Sequence, residues 1–410
     1  MLRVFEAFAG YGSQSIALRN LGIEYEVVAI SEIDKYAIKA YEAIHGPTNN
    51  LGDICKIDPK DIPDHDLFTY SFPCQDLSVA GKQAGLGKGT RSGLLYECEK
   101  IIEAKKPKYL LLENVKNLVG KKFKPQFNEW LAYLESLGYT NYWKVLNAKD
   151  YGVPQNRERV FVVSILGEHE PYEFPKPIPL DKCIADILED EVDEKYYLSE
   201  EIQKRFKITN QSKNIIGTTK PNFRTIGRRD LVYDKNGVIG ALVATDYKQP
   251  KQIAEINQLG MLEIKGNEQV RRVYGANGIS PTLNTMQGGN RQPKILEIGL
   301  PCICASRGRN PENPSDRTPG APTEQRLEFN TKGTSNTITT VQKDNYVVER
   351  TYRIRKLIPR ECFRLMGMRD DDIDKIQAAG ISNTQQYKIA GNSIVVNVLE
   401  AIFKNLFMEG

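Results

Sequence analysis

The sequence has no apolar run long enough to cross a bilayer as a helix. Its first residues, MLRVFEAFAG, read straight into a strand, without the charged and apolar regions of a secretory leader. A cytoplasmic location is the expectation, with no membrane partner. Cysteine is sparse: Cys55, Cys74, Cys98, Cys183, Cys302, Cys304 and Cys362 are odd in number and scattered. That argues against a disulfide framework and fits free thiols in a reducing compartment. Cys302 and Cys304 have no second pair or histidine nearby, so no metal site is expected. No G-x-G-x-x-G follows any strand, which removes the fingerprint of a nicotinamide dehydrogenase on a doubly wound sheet.

What is present is an ordinary globular composition, 40% hydrophobic and 26% charged over 410 residues. That length predicts two or three domains and a sizeable core. The net charge of +4 conceals an asymmetry. Residues 201–350 carry 23 Lys and Arg against 14 Asp and Glu, or +9, and the remainder carries 33 against 38, or −5. A basic middle on an acidic body fits a polyanion partner, and equally a surface that is merely lysine-rich.

Over residues 1–175 short apolar strands alternate with helical segments, which predicts βαβ units, a parallel sheet and helices on both faces. PYEFPKPIPLDK and the acidic LEDEVDEKYYLSEE then read as a linker. Residues 181–350 turn to short β-like segments rich in Gly, Asn, Thr and Gln, a smaller and mostly β domain. Three stretches within it resemble one another: 237–253, 278–295 and 333–348. Each has a Gly, then a small residue beside an aliphatic one (Ala241-Leu242, Thr282-Leu283, Thr337-Ile338), then a polar loop returning to a strand. Three generic hairpins are one reading, and a recurrent unit presenting polar loops to a ligand is the other. From 351 to 410 helical periodicity returns, and YKIAGNSIVVNVLEAIFKNLF reads as one amphipathic helix packing back onto the first domain.

Several strand ends carry chemistry. FAGYGSQS (8–15) is a Gly turn between a strand and a helix, where backbone and free N–H groups can approach a ligand. Glu32 ends the second strand about twenty residues past that turn, where nucleotide folds place an acid on ribose hydroxyls. Asp53 follows the next unit. As a set, the turn and two acids point to an adenosine-containing cofactor, although each acid alone reads as a helix cap. SFPCQDLS (71–78) puts Cys74 in a Pro-Cys-Gln turn at a strand's carboxyl end, a place for chemistry in open α/β sheets. YLLLENV ends in Glu113, a carboxyl whose burial would raise its pKa toward that of a usable acid. QNRERV places Arg157 and Arg159 on one strand onset, suited to a carbonyl oxygen or to depressing a thiol pKa, or to surface ion pairs.

FAGYGS, SEID, GDI, FPCQDLS, ENV, QNRERV, PRECFRLMG and YKIAGNSIVVNV stand in the order and spacing of the C5-cytosine DNA methyltransferases, which this chain resembles over about 1–165 and 350–400. The resemblance implies a Rossmann-like, S-adenosylmethionine-dependent large domain with a smaller target-recognition domain at 181–350. It implies that Cys74 attacks C6 of a cytosine flipped out of double-stranded DNA, that Glu113 contacts N3 and the exocyclic amine, and that Arg159, helped by Arg157, holds O2. Gln75 and Ser78 would lie in a loop closing over DNA. The implied cofactor set is Phe8, Gly10 and Gly12 in the first turn, Glu32 on the ribose, Asp53 on the adenine, and Asn392 and Ser393 from the carboxyl-terminal part. Thr282-Leu283 and Thr337-Ile338 resemble the pair this family carries in its recognition domain. The chain departs from the usual Asp-Leu-Phe with Glu6-Ala7-Phe8, and from a doubled Gly with AGYGS, which bears on how the methionine end is held.

The expected function is therefore sequence-specific DNA cytosine-C5 methylation by a monomer, in a restriction-modification system whose endonuclease it does not touch, or in a phage. A tRNA cytosine methyltransferase would share the catalytic motifs, but the long basic middle favours duplex DNA. A DNA-binding module without turnover is argued against by the intact Cys74, Glu113 and Arg159.

Overall fold

The computed structural model describes residues 1–73, 94–182, 184–197, 206–208, 215–218, 231–234, 252–254, 258–262, 272–275, 280–283, 292, 294–298, 302–309, 324–329, 345–348 and 352–408. The amino-terminal part alternates β1 (Leu2–Ala7), α1 (Ser13–Asn20), β2 (Tyr25–Ser31), α2 (Lys35–His45), β3 (Leu67–Tyr70), α3 (Leu95–Lys105), β4 (Tyr109–Val115) and α4 (Lys124–Ser136). It closes with β5 (Tyr139–Asn147), β6 (Gln155–Asn156) and β7 (Glu158–Leu166). One six-stranded sheet runs β2-β1-β3-β4-β7-β5.

Both faces of this sheet are covered, so its strands are apolar on both sides rather than alternating with polar residues. Val4, Leu67 and Leu111 face α1, α2 and the carboxyl-terminal helices. Their neighbours Phe5, Phe68 and Leu110 face α3 and α4. The chain winds from β1 out to β2 and then back past β1 to β3. The carboxyl ends of β1 and β3 therefore flank a switch point, where open sheets leave a crevice.

The sheet is mixed, which corrects the parallel expectation. β1 to β4 are parallel, but β7 runs antiparallel to both β4 and β5. Strand β5, which the sequence reading did not assign, leads to β7 through a connection without an α-helix. A parallel return needs a crossover of a dozen residues or more, usually helical, so the chain doubles back.

The carboxyl-terminal part forms α5 (Pro359–Arg364), α6 (Asp370–Ala378), α7 (Asn383–Asn392) and α8 (Val396–Phe407). The single helix expected from YKIAGNSIVVNV onward is two. Ser393 leaves the helical region at φ −83°, ψ 169°, and the Val396 amide donates to the Met366 carbonyl at 2.9 Å. α8 packs on the first part as expected: Asn20 Nδ2 donates to Glu400 Oε1 at 2.7 Å, and Phe407 meets the Tyr109 ring edge-on at 5.2 Å. Leu399, Ile402 and Phe403 are fully buried, each contributing about 1.5–3 kcal/mol.

The region between is β-rich. A five-stranded sheet joins Tyr352–Lys356, Lys294–Ile298, Arg272–Gly275, Gln258–Leu262 and Phe206–Ile208, and two three-stranded sheets accompany it. The three similar stretches each return to a strand, at Gln252–Ala254, Lys294–Ile298 and Asn345–Val348. For the first two, the strands entering and leaving run parallel, Val232 opposite Gln252 and Val273 opposite Lys294. Those flanking strands therefore do not form a hairpin with each other, and most of each stretch between them lies outside the described residues. The Pro-rich linker lies on the body, with Tyr172 and Ile187 buried and Tyr151 donating its hydroxyl to the Pro175 carbonyl. Among the described residues no helix is long and apolar enough to cross a membrane.

Candidate active site

The turn after β1 is built from positive backbone angles: φ is 57° at Phe8, 60° at Gly10 and 79° at Gly12. For a bulky residue such as Phe8 that region costs about 1–3 kcal/mol and persists only where neighbours impose it. The neighbours are on β2: the Phe8 amide donates to the Ser31 carbonyl at 2.8 Å, and the Gly10 amide to Glu32 Oε2 at 2.9 Å. Glu32 Oε1 accepts the Ile33 and Asp34 amides, each at 2.8 Å. Glu32 thus fastens the glycine turn to the end of β2. Asn50 was not singled out from the sequence, yet it brackets the Glu32 backbone: its Oδ1 accepts the Glu32 amide at 3.1 Å and its Nδ2 donates to the Glu32 carbonyl at 3.0 Å.

Asp53 caps the short helical turn Ile54–Lys56, accepting the Cys55 amide at 3.1 Å, and still lines the cavity below. Asp53 is thus a cap that stands on the cavity wall. Gly12 is different. It is buried and does not line the cavity, and a Cβ there would lie 2.5 Å from His45 Nε2 and 2.7 Å from Tyr41 Cε2. Its glycine serves the packing of α1 on α2.

A cavity of about 310 Å³ opens over these strand ends. Phe8, Gly10, Glu32 and Asp53 line one part of it, Glu113 and Arg159 another, and Asn392 and Ser393 close it from the carboxyl-terminal helices. The break between α7 and α8 is what brings those last two to the wall.

Glu113 is 8% exposed at the end of β4. Burial pushes its carboxyl above the ordinary glutamate range, and Arg159 and then Arg157 partly offset this. Arg159 Nε lies 3.1 Å from Glu113 Oε1. Next to Glu113, buried Asn114 donates from Nδ2 to the Phe72 carbonyl at 3.0 Å. It thereby ties the end of β4 to the residues that lead into Cys74. Cys74, Gln75, Ser78, Thr337 and Ile338 lie outside the described residues.

Arg157 also lines the cavity, next to Arg159. Its guanidinium donates to the carbonyls of Leu283 at 2.9 Å, Ser393 at 2.7 Å and Gly391 at 3.2 Å. Three backbone carbonyls thus accept from its Nη1 and Nη2, which anchors the guanidinium at the cavity wall. Leu283 is likewise held through its backbone. It is 1% exposed, with its amide given to Gln155 Oε1 and its carbonyl to Arg157. Thr282 is exposed and donates its hydroxyl to the Asn156 carbonyl at 2.7 Å. Gln155, fully buried, opens QNRERV, and nothing in that motif marks its role. Only the fold reveals that it binds both Leu283 and the Leu365 carbonyl.

The family model for C-5 cytosine-specific DNA methylase matches residues 2–408. Type II methyltransferase M2.ScrFI of Lactococcus lactis subsp. cremoris is 36% identical, covering 99% of each chain. Orphan methyltransferase M.SPBetaI of Bacillus phage SPbeta is 34% identical, covering 99% of this chain and 97% of its own. Among solved structures, Entamoeba histolytica methyltransferase EhMeth superposes with a TM-score of 0.61 at 15% identity, covering 100% of this chain and 98% of its own. S. pombe Dnmt2 methyltransferase gives 0.56 at 17%, covering 100% and 99%. These two show a shared fold. With one family matched from end to end and its strand-end residues gathered at one cavity, the chain belongs to the C-5 cytosine-specific DNA methylases.

Proposed function

We propose that this DNA cytosine-C5 methyltransferase works through a transient covalent bond between Cys74 and a cytosine flipped out of duplex DNA, using S-adenosylmethionine held in the strand-end cavity. The observation that carries the reading is the pairing of Glu113 with Arg159 at 3.1 Å on the wall of the cavity that Phe8, Glu32 and Asp53 also line. A carboxyl and a guanidinium side by side match the N3 and O2 edge of one pyrimidine ring.

The residues present fit the cofactor. Gly10 leaves the wall without a side chain where a Cβ would point toward Ser393 Oγ, 3.7 Å away. Glu32 and Asp53 supply carboxylates for hydroxyl and amine hydrogens, and Phe8 and Ile33 supply apolar surface. When bound, S-adenosylmethionine supplies an activated methyl group, which C5 of the base accepts.

The chain's own groups do the rest. The Cys74 thiolate forms a bond to C6, and the displaced ring electrons give C5 its nucleophilic character. Glu113, whose carboxyl burial pushes above the ordinary glutamate range, donates a hydrogen bond at N3 as that electron density shifts. Arg159 fixes O2 and balances the developing charge. After C5 loses its proton to a base, the C6–S bond breaks and returns the thiolate. Asn114 steadies the Phe72 carbonyl, just past the end of the strand that leads to Cys74 in sequence. Residues 201–350, with their excess of cations, hold duplex DNA by its phosphates. The enzyme acts as a monomer in the cytoplasm, protecting host or phage DNA within or beside a restriction system.

The test is Cys74→Ala assayed for tritiated methyl transfer to unmethylated genomic DNA and, in parallel, to tRNA. Transfer to DNA by the parent chain and none by the variant is expected. Undiminished transfer by the variant removes the covalent mechanism, and transfer to tRNA alone removes the substrate.

A further inference from the structure

We propose that Arg157 is a positioning residue that couples the cofactor wall to the target-recognition segment, so that ligands on the two sides bind cooperatively. This rests on the reading of the cavity as the S-adenosylmethionine site. Residues 280–283 run alongside the Gln155–Asn156 strand in parallel, Ser280 opposite Gln155 and Pro281 opposite Asn156. At the end of that pairing Leu283 is gripped from both sides. Gln155 Oε1 accepts its amide at 3.0 Å, and Arg157 Nη1 donates to its carbonyl at 2.9 Å. The other arm of the same guanidinium, Nη2, donates to the Ser393 carbonyl at 2.7 Å and the Gly391 carbonyl at 3.2 Å, and both residues line the cavity. Gln155, Arg157 and Leu283 are 0%, 4% and 1% exposed, so water cannot replace any of these bonds cheaply.

Three regions distant in sequence therefore meet on one planar group: the strand onset that continues to Arg159, the recognition segment, and the turn between α7 and α8. A guanidinium is a rigid fork, and neither arm moves without the other. Its hydrogen bonds are charge-assisted and sit in a low-dielectric interior, which makes the linkage stiff. Seating of segment 280–283 on DNA and closure of the 391–393 turn on the cofactor are then one equilibrium. By linkage, DNA tightens cofactor binding by the same factor that cofactor tightens DNA binding.

The experiment measures the affinity of the full chain for S-adenosylhomocysteine by calorimetry, with and without saturating unmethylated duplex DNA. For the parent chain the duplex is expected to tighten binding by about fivefold or more, within the usual range of coupling between sites. Arg157→Lys keeps the charge and loses the fork, and its ratio is expected to fall to within about twofold of unity, taking the fork as the sole link. Thr282→Val removes only the 2.7 Å bond to the Asn156 carbonyl from an exposed position, and its ratio is expected to fall part of the way. A merely structural Arg157 would lower the melting temperature or both affinities and leave the ratio intact. A parent ratio of one overturns the coupling, as does a folded Arg157→Lys that keeps the parent ratio. If Arg157→Lys does not fold, an unchanged ratio in Thr282→Val overturns it alone. A parent chain that binds no S-adenosylhomocysteine at all overturns the cofactor reading itself, which separates the two failures.

Discussion

Glu113 Oε1 stands 3.1 Å from Arg159 Nε across the β4·β7 ladder, in which Arg159 is the direct partner of Val115. Glu113 is therefore diagonal to Arg159, two residues along β4 on the same face, and both side chains emerge at the cavity. Arg159→Ala leaves a buried carboxyl without its cation and removes the group proposed to hold O2. A fall in kcat of about 10²–10³ is expected, as for loss of one charge-stabilising donor. Glu113→Gln cannot donate an acidic proton and should lose about 10²–10⁴. Single-turnover methyl transfer measures both, and the double variant should lose less than the product of the two, because the groups act as a unit. A rate within a few-fold of the parent for either single variant would remove that residue from the chemistry.

Gly10 and Gly12 separate binding from stability. Both have positive φ, so alanine strains either by about 1 kcal/mol. At Gly12 the added carbon also meets His45 at 2.5 Å and Tyr41 at 2.7 Å, so overpacking adds about 1–3 kcal/mol more. Gly12→Ala should show the larger drop in melting temperature. Gly10→Ala, whose carbon meets only Ser393 Oγ at 3.7 Å, should melt closer to the parent and bind S-adenosylhomocysteine more weakly. The reverse order in calorimetry would contradict the placement of the two glycines.

Why these roles differ was not visible in FAGYGS. The motif shows that backbone must turn there, and the periodicity shows which segments are strands and helices. It does not show which glycine faces a ligand and which faces a tyrosine on the next helix. The same holds for QNRERV. Two arginines two apart look equivalent in sequence, and only the fold sends Arg159 to Glu113 and Arg157 to three carbonyls from residues 283, 391 and 393. The acids at strand ends were legible because their placement follows from βα topology. Strand β5 was not, because Tyr139–Asn147 is an edge strand with only Tyr139 and Leu146 buried and no clear alternation. The helix break at Ser393 was hidden too, since the apolar residues 394–396 continue the pattern across a turn fixed by tertiary bonds.

Glu6 makes stability depend on pH. It is fully buried on β1, with Ser15 donating to Oε1 at 2.8 Å and no partner at Oε2 among the described residues. Burial pushes its carboxyl up to about 7. Below the unfolded carboxylate range both states are protonated and nothing is lost. As pH rises through that range the unfolded chain ionises while the native chain keeps its proton, so stability falls until about pH 7 and then levels. The loss is about 3 kcal/mol, order of magnitude, from the size of that shift. Urea unfolding of the parent and Glu6→Gln between pH 5 and 8 should give curves that diverge with pH, the parent losing stability relative to the variant. Parallel curves would show that Glu6 ionises in place.

Arg355 and Glu361 form an ion pair with both side chains fully buried, each guanidinium nitrogen 2.9 Å from a carboxylate oxygen. The carboxylate also accepts the Ile358 amide at 2.8 Å and the Glu189 amide at 3.0 Å. It therefore gathers the chain entering the β-rich region and the strand leaving it at one point. Glu361→Gln keeps the shape but strands a buried cation, and a loss of about 3–5 kcal/mol is expected. Replacing both, Arg355→Met with Glu361→Leu, removes the stranded charge. It still orphans two amides, at about 1–3 kcal/mol each. The double variant should thus sit below the parent but cost no more than the single one, although it changes twice as many residues. A double variant that loses the sum of its two single losses would mean that the charges act independently, and that the pair is not what ties the two ends of the region together.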